Sequence, residues 1–344
     1  MIYGKNVFTR RKLLAAAGAT APSAMLAQAG SLAHARPLTT ATAQTSATTQ
    51  TPAAAAEPRP IVCAFSKHFQ WTDVAGAAQV AADLGYEGMD LTVRPDGHVL
   101  PERVEDDLPK AAEAIRKVGL SLPMITTAIT DTASPHAEPT IRTMSALGIR
   151  RYRWVNFRYS STRSLPDQIA DIKIKAKELA ALNKQYGVCA MYHTHSGVNR
   201  FGASIWDLYL VLRDLDTESV GANYDIGHAT IEGGLGGWVH STRLLLPYMK
   251  GIGVKDFAWT RDAKGAWVPR GRPLGLGMVN FKQFFAMVKA ARFAGPMEVH
   301  MEYPELGGAD QGGRELTIPR ERLISMFRRD LDVLKGMLRE AGWA

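Results

Sequence analysis

The sequence holds two cysteines in 344 residues, Cys63 and Cys189, too few for a disulfide scaffold. Both sit in apolar runs, Ile61-Val62-Cys63-Ala64-Phe65 and Val188-Cys189-Ala190-Met191, where cysteine behaves as a small buried hydrophobe. The strand repeat described below puts them on opposite sides of a barrel, so free thiols are expected. Membrane-length apolar runs are missing as well. The Ala/Gly-rich stretch after Lys12 is broken by Pro22, Gln28 and Gly30 and spans lipid poorly. Acids are absent from residues 1–56, which hold Lys5, Arg10, Arg11, Lys12 and Arg36. Removing those five from the 41 basic residues leaves 36 against 33 acidic ones, a charge of +3 in place of +8. That balance gives no electrostatic footprint for nucleic acid.

What fills the N-terminus is an export pattern. Phe8-Thr9-Arg10-Arg11-Lys12-Leu13-Leu14 is a twin-arginine motif, and Ala33-His34-Ala35 is a small-residue cleavage site. Residues 1–35 are therefore expected to be a signal peptide handled by the twin-arginine translocase. Residues 36–57, rich in Thr, Ala, Gln and Pro, have no apolar period that could bury a face and are expected to be a disordered linker. Residues 58–344 form the folded part, expected to be periplasmic or otherwise exported, with no membrane segment in the mature form.

Within that part, apolar runs of strand length recur at 61–66, 87–93, 121–128, 150–156, 188–193, 220–225, 250–256 and 297–303. Between them lie stretches of helical period, such as Val74, Ala77, Ala78, Ala81 and Leu84, or Leu323, Phe327, Leu331, Leu334 and Leu338. Strand–helix alternation forces parallel strands joined by right-handed crossovers. Eight units in one chain of this length predict a single α/β domain, a closed (β/α)8 barrel. An open doubly wound sheet is the competing fold, but no Gly-rich nucleotide turn follows the first strand. Gly275-Leu276-Gly277 is no substitute, because it follows the seventh strand, where Asn280 is placed to cap the next helix.

In such a barrel the C-terminal strand ends build the site. Here they read Ser66-Lys67-His68, then Asp90 with Arg94 and His98, Arg153 with Asn156, MYHTHSG, NYDIGHA, GVKDFAW and EVHMEYP. Side chains two apart on a strand share a face. His193 thus lies with His195, and Glu298 with His300 and Glu302. Imidazoles and carboxylates converging from several strands suit a divalent metal such as Mn, Co or Zn. Burying that many ionisable groups without an ion or ligand is expensive.

At these residues the chain resembles the xylose-isomerase-like TIM barrels, the sugar phosphate isomerase/epimerase family. The carriers are FSKHFQW, DLTVRPDGHVLPE, MYHTHSG, NYDIGHA, VKDF, PLGLGMVNF and GPMEVHMEYP. The resemblance implies one divalent ion, with Mg added to the candidates, held by residues from the fifth to eighth strands. It places the ligands at His193, Asp225 and Glu302, with His300 as the alternative on the eighth strand, and His228 on the substrate side. Two positions depart from the pattern: His193 stands where the family has Glu, and Gly253 where it has His. The family's opposed pair of carboxylates is therefore not intact.

The reaction expected from these residues is a carbohydrate isomerisation or epimerisation, in which a proton is lost beside a carbonyl and a metal-stabilised enediolate forms. Lys255, His228 and His300 are the candidate acid/base groups, with Lys255 expected to have a lowered pKa beside a cation. Lys67, Arg94, His98, Arg153 and His195 are the candidate contacts to a small carbohydrate substrate. Trp71, Trp206 and Trp259 are candidate stacking surfaces. Loss of a β-leaving group from a keto-sugar or keto-glycoside is the alternative outcome of the same geometry. A periplasmic sugar-binding barrel without activity is the alternative class.

Overall fold

Each strand of the barrel is a short apolar run whose residues are buried on both faces, as parallel strands covered by helices must be. The computed structural model describes residues 58–155 and 157–343, so the expected signal peptide, linker and Asn156 lie outside the described residues. The barrel strands are β1 (Ile61–Phe65), β2 (Gly88–Val93), β3 (Ser121–Thr127), β4 (Arg151–Trp154), β5 (Cys189–His193), β6 (Val220–Asp225), β7 (Met249–Val254) and β10 (Pro296–Val299). All pair in parallel, and β1 bonds β10 on one side and β2 on the other, which closes the sheet. Closure excludes the open-sheet alternative.

Helices α1 (Val74–Leu84), α2 (Val104–Lys117), α3 (Ala137–Ala146), α4 (Leu165–Tyr186), α5 (Trp206–Leu212), α6 (Ile226–Gly233), α7 (Gly237–Leu245), α8 (Phe281–Ala290) and α9 (Arg320–Glu340) fill the connections. Their ends are set by local chemistry. The Asp73 side chain accepts the Gly76 N–H at the start of α1, and Asn280 accepts the Gln283 N–H at the start of α8, each satisfying a helix donor that would otherwise lack a partner. At the end of α4, Gly187 adopts φ 62°, a left-handed cap that favours glycine. The apolar stripes read from the sequence face the barrel: Ala77, Ala78, Ala81 and Leu84 are buried on α1, as are Leu323, Phe327, Leu331, Leu334 and Leu338 on α9. Cys63 and Cys189 are buried and free.

Three strands stop at least two residues before their apolar runs end, β4 at Trp154 among them. The seventh ends at Val254, because the chain leaves the barrel to form an antiparallel hairpin, β8 (Asp256–Arg261) with β9 (Trp267–Arg272). Asp256 fixes that exit. Its carboxylate accepts backbone N–H groups of Phe257 at 2.9 Å, Gly275 at 3.0 Å, Gly277 at 2.9 Å and Val279 at 3.2 Å. The eighth barrel strand, β10, stops at Val299, although the His300 N–H still reaches the Val254 carbonyl at 2.9 Å. A Cβ at Gly271 would overlap the Glu302 backbone carbonyl, so β9 lies directly against the chain that leaves β10.

Candidate active site

The register that closes the barrel also stacks its polar residues. His193 pairs with Asn223, Asp225 with Gly253, and Gly253 with Glu298. Residues on strands β5, β6 and β10 therefore meet on the axis at the C-terminal ends. The His193 Nε2 lies 3.5 Å from Asp225 Oδ2, and its Nδ1 lies 3.8 Å from Glu298 Oε1. On the far side, His300 Nε2 is 3.3 Å from Glu298 Oε2, and its Nδ1 is 3.8 Å from Asp225 Oδ2. The two imidazoles stack with centroids 5.1 Å apart, and Phe65 backs the outer face of His300 at 4.7 Å. Gly253 leaves this cage open: a Cβ there would come within 3.2 Å of the His193 ring and 3.3 Å of Asp225 Oδ2.

Below the cage, Asn223 Nδ2 donates to Glu298 Oε1, and Thr126 Oγ1 donates to Asp90 Oδ2 at 2.7 Å. Burial raises the Asp90 pKa, and the adjacent Glu298 carboxylate raises it further. Burial works the same way on Glu298, but His300, Asp90 and Arg153 outweigh it and pull that carboxyl down to about 2. Burial and Glu298 thus favour the neutral form of Asp90, while His300 and Asp90 favour the ionised form of Glu298. His193 is held well below its usual pKa, first by burial and then by Arg153 and the other imidazoles. A neutral imidazole is the form that binds a metal.

Above the cage sits a chain of protons. Lys255 Nζ contacts Asp225 Oδ2 at 3.2 Å, Glu302 Oε2 at 2.9 Å and His228 Nε2 at 2.6 Å. Lys67 Nζ donates to the other Glu302 oxygen at 2.8 Å. Burial favours the neutral amine of Lys255, but Asp225 and Glu302 reverse the effect, and its pKa lies above the ordinary value. The lowered pKa expected from the sequence is not found, because the neighbours that matter are anions. Glu302 is half-buried; burial raises its pKa, but Lys255 and Lys67 outweigh it and hold the carboxyl well below the usual range. Burial and Lys255 together lower His228 well below its usual value. With the ammonium donating to Nε2, His228 Nδ1 carries the hydrogen and donates to Ser196 Oγ at 2.7 Å.

The remaining sequence candidates separate. His195 contacts the His193 carbonyl through Nδ1 at 3.1 Å and Arg153 Nη2 through Nε2 at 3.1 Å, which fixes its tautomer. Arg94 lies in the field of Arg153, Asp90 and Glu302. His98 stands apart from the cage: Nδ1 faces Thr92 Oγ1 at 3.2 Å, and the ring is turned toward the Thr72 and Phe69 backbone. Trp71 packs under Arg320 and donates to the His68 carbonyl at 3.0 Å, while Trp206 and Trp259 are exposed. Glu298, Asn223 and Ser196 join the site beyond the residues expected from the sequence. Strand alternation carried the signal for the first two, which share the faces of His300 and Asp225; nothing in the local sequence marks Ser196.

The donor set can be tested for a cation directly. His193 Nδ1 and Nε2, Glu298 Oε2 and His300 Nε2 are buried polar atoms without an aligned hydrogen-bond partner, a costly state unless an ion or water satisfies them. His193, Glu298 and His300 present one ligand atom each within 4.8 Å of one another, and Asp225 borders the same space. Two imidazoles with two carboxylates form a mixed nitrogen and oxygen set that fits a divalent ion. Glu302 is less suited to the cage, since each of its oxygens already accepts from a lysine.

The fold has solved counterparts. A xylose isomerase-like TIM barrel protein from Mycobacterium smegmatis in complex with magnesium is 16% identical over 82% of this chain and 98% of its own, with a TM-score of 0.57. A 3-keto-D-glucoside 4-epimerase from E. coli is 14% identical over 81% and 100%, with a TM-score of 0.58. A D-allulose 3-epimerase from Methylomonas sp. is 15% identical over 82% and 99%, also at 0.58. No curated protein sequence matches the chain. The family model described as xylose isomerase-like TIM barrel matches residues 78–324, and the chain belongs to that family.

Proposed function

We propose that the protein is a divalent-metal-dependent carbohydrate isomerase or epimerase that moves a proton on a carbon next to a carbonyl. The observation that carries this reading is the buried cage of His193, Asp225, Glu298 and His300 directly beneath the proton chain of Lys255, His228 and Glu302. The likeness to proteins described as a keto-glucoside 4-epimerase and an allulose 3-epimerase supports the substrate class. His193, Asp225, Glu298 and His300 would hold the ion, which supplies Lewis acidity toward a carbonyl oxygen.

The chain's own residues then divide the work. Lys255 is the acid at rest, an ammonium fixed between two carboxylates and one imidazole. When it gives up a proton to substrate, the free amine and the neutral His228 share the next proton that arrives, and Ser196 keeps His228 in the tautomer that can accept it. Glu302 orients both lysines toward the mouth. His195 is positioned by the His193 carbonyl and by Arg153. Loss of a β-leaving group, as from a keto-glycoside, is the other outcome this acid would serve. We also propose export through the twin-arginine pathway, on the Arg10-Arg11 motif and the Ala33-His34-Ala35 site.

The test is proton exchange. Free ketoses, aldoses and keto-glycosides are incubated with the protein and manganese in deuterium oxide and followed by NMR. Deuterium entering a carbon beside a carbonyl, without loss of a substituent, supports isomerase or epimerase chemistry. Deuterium entry coupled to release of a substituent favours the lyase. Absence of exchange across the whole set, with metal bound, refutes both.

A further inference from the structure

Two guanidinium groups near the barrel mouth, those of Arg153 and Arg94, form no ion pair among the described residues. Arg153, on β4, is 7% exposed, and its Nε is a buried donor without an acceptor. Its one hydrogen bond runs from Nη2 to a neutral acceptor, His195 Nε2 at 3.1 Å, and its Cζ lies 5.9 Å above the Phe65 ring. Register places Arg153 beside Thr126 of β3, and Thr126 beside Thr92 of β2. Arg94, two residues beyond Thr92, continues the inward-facing column of Asp90 and Thr92. Among the described residues neither guanidinium has a carboxylate within 4.0 Å, and the Arg94 side chain has no hydrogen bond.

The buried acids that could neutralise them are taken, and Asp96, whose charge also acts on Arg94, is exposed and forms no ion pair with it. Glu302 is bound by Lys67 and Lys255, Asp225 by Lys255, and Glu298 by Asn223 beside His300. Asp90 accepts from Thr126 and adjoins Glu298. Burying one unpaired arginine costs free energy, and setting a second beside it adds repulsion. Such an arrangement persists where function requires it. A guanidinium is a planar fork that matches a carboxylate or a phosphate, and a divalent ion in the cage would make the mouth more positive still.

We infer that Arg94 and Arg153 form an anion subsite, and that the substrate is a sugar carrying a carboxylate or a phosphate ester at the end away from the reacting carbon. This rests on the carbohydrate reading above and narrows it to acidic sugars, the uronate or sugar phosphate class. The anionic group occupies the space between β2 and β4, and the carbon chain runs from there toward Lys255.

Matched pairs test it: glucose against glucuronate and galactose against galacturonate, with glucose 6-phosphate as the phosphate arm. Binding to the manganese-supplied protein is measured by calorimetry or NMR titration. The expected result is that the acidic member binds at least tenfold tighter, and that Arg94→Gln or Arg153→Gln removes most of that preference, read within each variant as the ratio of acidic to neutral affinity. Arg153→Lys recovers part of the preference, because it restores charge without the fork. Tighter binding of glucose 6-phosphate than of either uronate assigns the anion as a phosphate ester. Equal affinity within each pair, or a preference that survives both variants because the carboxylate binds the ion alone, overturns the inference. Neutral sugars that exchange deuterium with no acidic preference leave the proposed function standing and sink only the subsite; absence of both binding and exchange sinks both.

Discussion

Replacing Lys255 by Met removes the cation that serves two carboxylates at once, and the structure allows the cost to be apportioned. Glu302 keeps Lys67 at 2.8 Å, and its side chain is 28% exposed, so it loses little, about 0–1 kcal/mol. Asp225 is fully buried and loses its ammonium partner at 3.2 Å. Breaking a buried pair by deleting one partner costs roughly 3–5 kcal/mol. The low end applies here, because Asp225 still accepts the His228 N–H at 2.9 Å and burial already raises its pKa, which makes protonation an escape. The total, about 3 kcal/mol, corresponds to roughly a hundredfold in the folding equilibrium. Urea denaturation with a chelator present reads it as a lowered midpoint at constant slope. Adding Asp225→Asn to Lys255→Met removes the unpaired charge, so the double variant should be more stable than the single one by about 2 kcal/mol. A single variant within about 0.5 kcal/mol of wild type, a surface-like effect, or a double variant that is simply the sum of the two losses, refutes the ion-pair account.

Three further outcomes follow from the same geometry. Divalent metal at a hundred times its dissociation constant should stabilise the protein by about 2.7 kcal/mol; thermal melts with and without EDTA measure this, and His193→Leu should abolish the difference. His68 binds the Ala309 carbonyl through Nδ1 and the Met301 N–H through Nε2, each at 3.1 Å, and burial lowers its pKa to about 3. Since its folded pKa lies below the unfolded value of 6.5, the unfolded chain takes up the proton first, and stability should fall as pH drops from 6.5 toward 3, by about 1.4 kcal/mol per unit for this group. The slope of denaturation midpoint against pH should flatten in His68→Gln. Finally, Cys63 and Cys189 have thiols raised by burial, the second to about 12. Mass spectrometry after thiol labelling should find both unmodified until denaturant is added.

The sequence was most legible where one physical rule acted alone. Parallel strands buried on both faces must be apolar, so the barrel runs stood out, and caps such as Asn280 marked helix starts. Reading failed where a single polar residue redirected the chain: Asp256, gathering backbone donors from 257 to 279, ends the seventh strand early and creates the β8–β9 hairpin. In the site, strand alternation grouped Glu298, His300 and Glu302, but depth along the barrel came from register and from the lysines that Glu302 attracts. The pKa of Lys255 was misread for a related reason. Its two anionic neighbours arrive from β6 and from beyond β10, and no local pattern announces that meeting.

Because Phe65 of β1 backs His300 just past β10, the cage straddles the seam where the first and last staves of the barrel zip together. The four ligands all lie between residues 193 and 300, in the C-terminal half of the polypeptide, but the ring that backs His300 comes from β1, at the other end of the barrel sequence. Metal uptake is therefore a readout of finished assembly: a chain truncated before residue 300 lacks the anchor that locks the ring, however well its earlier strands have formed.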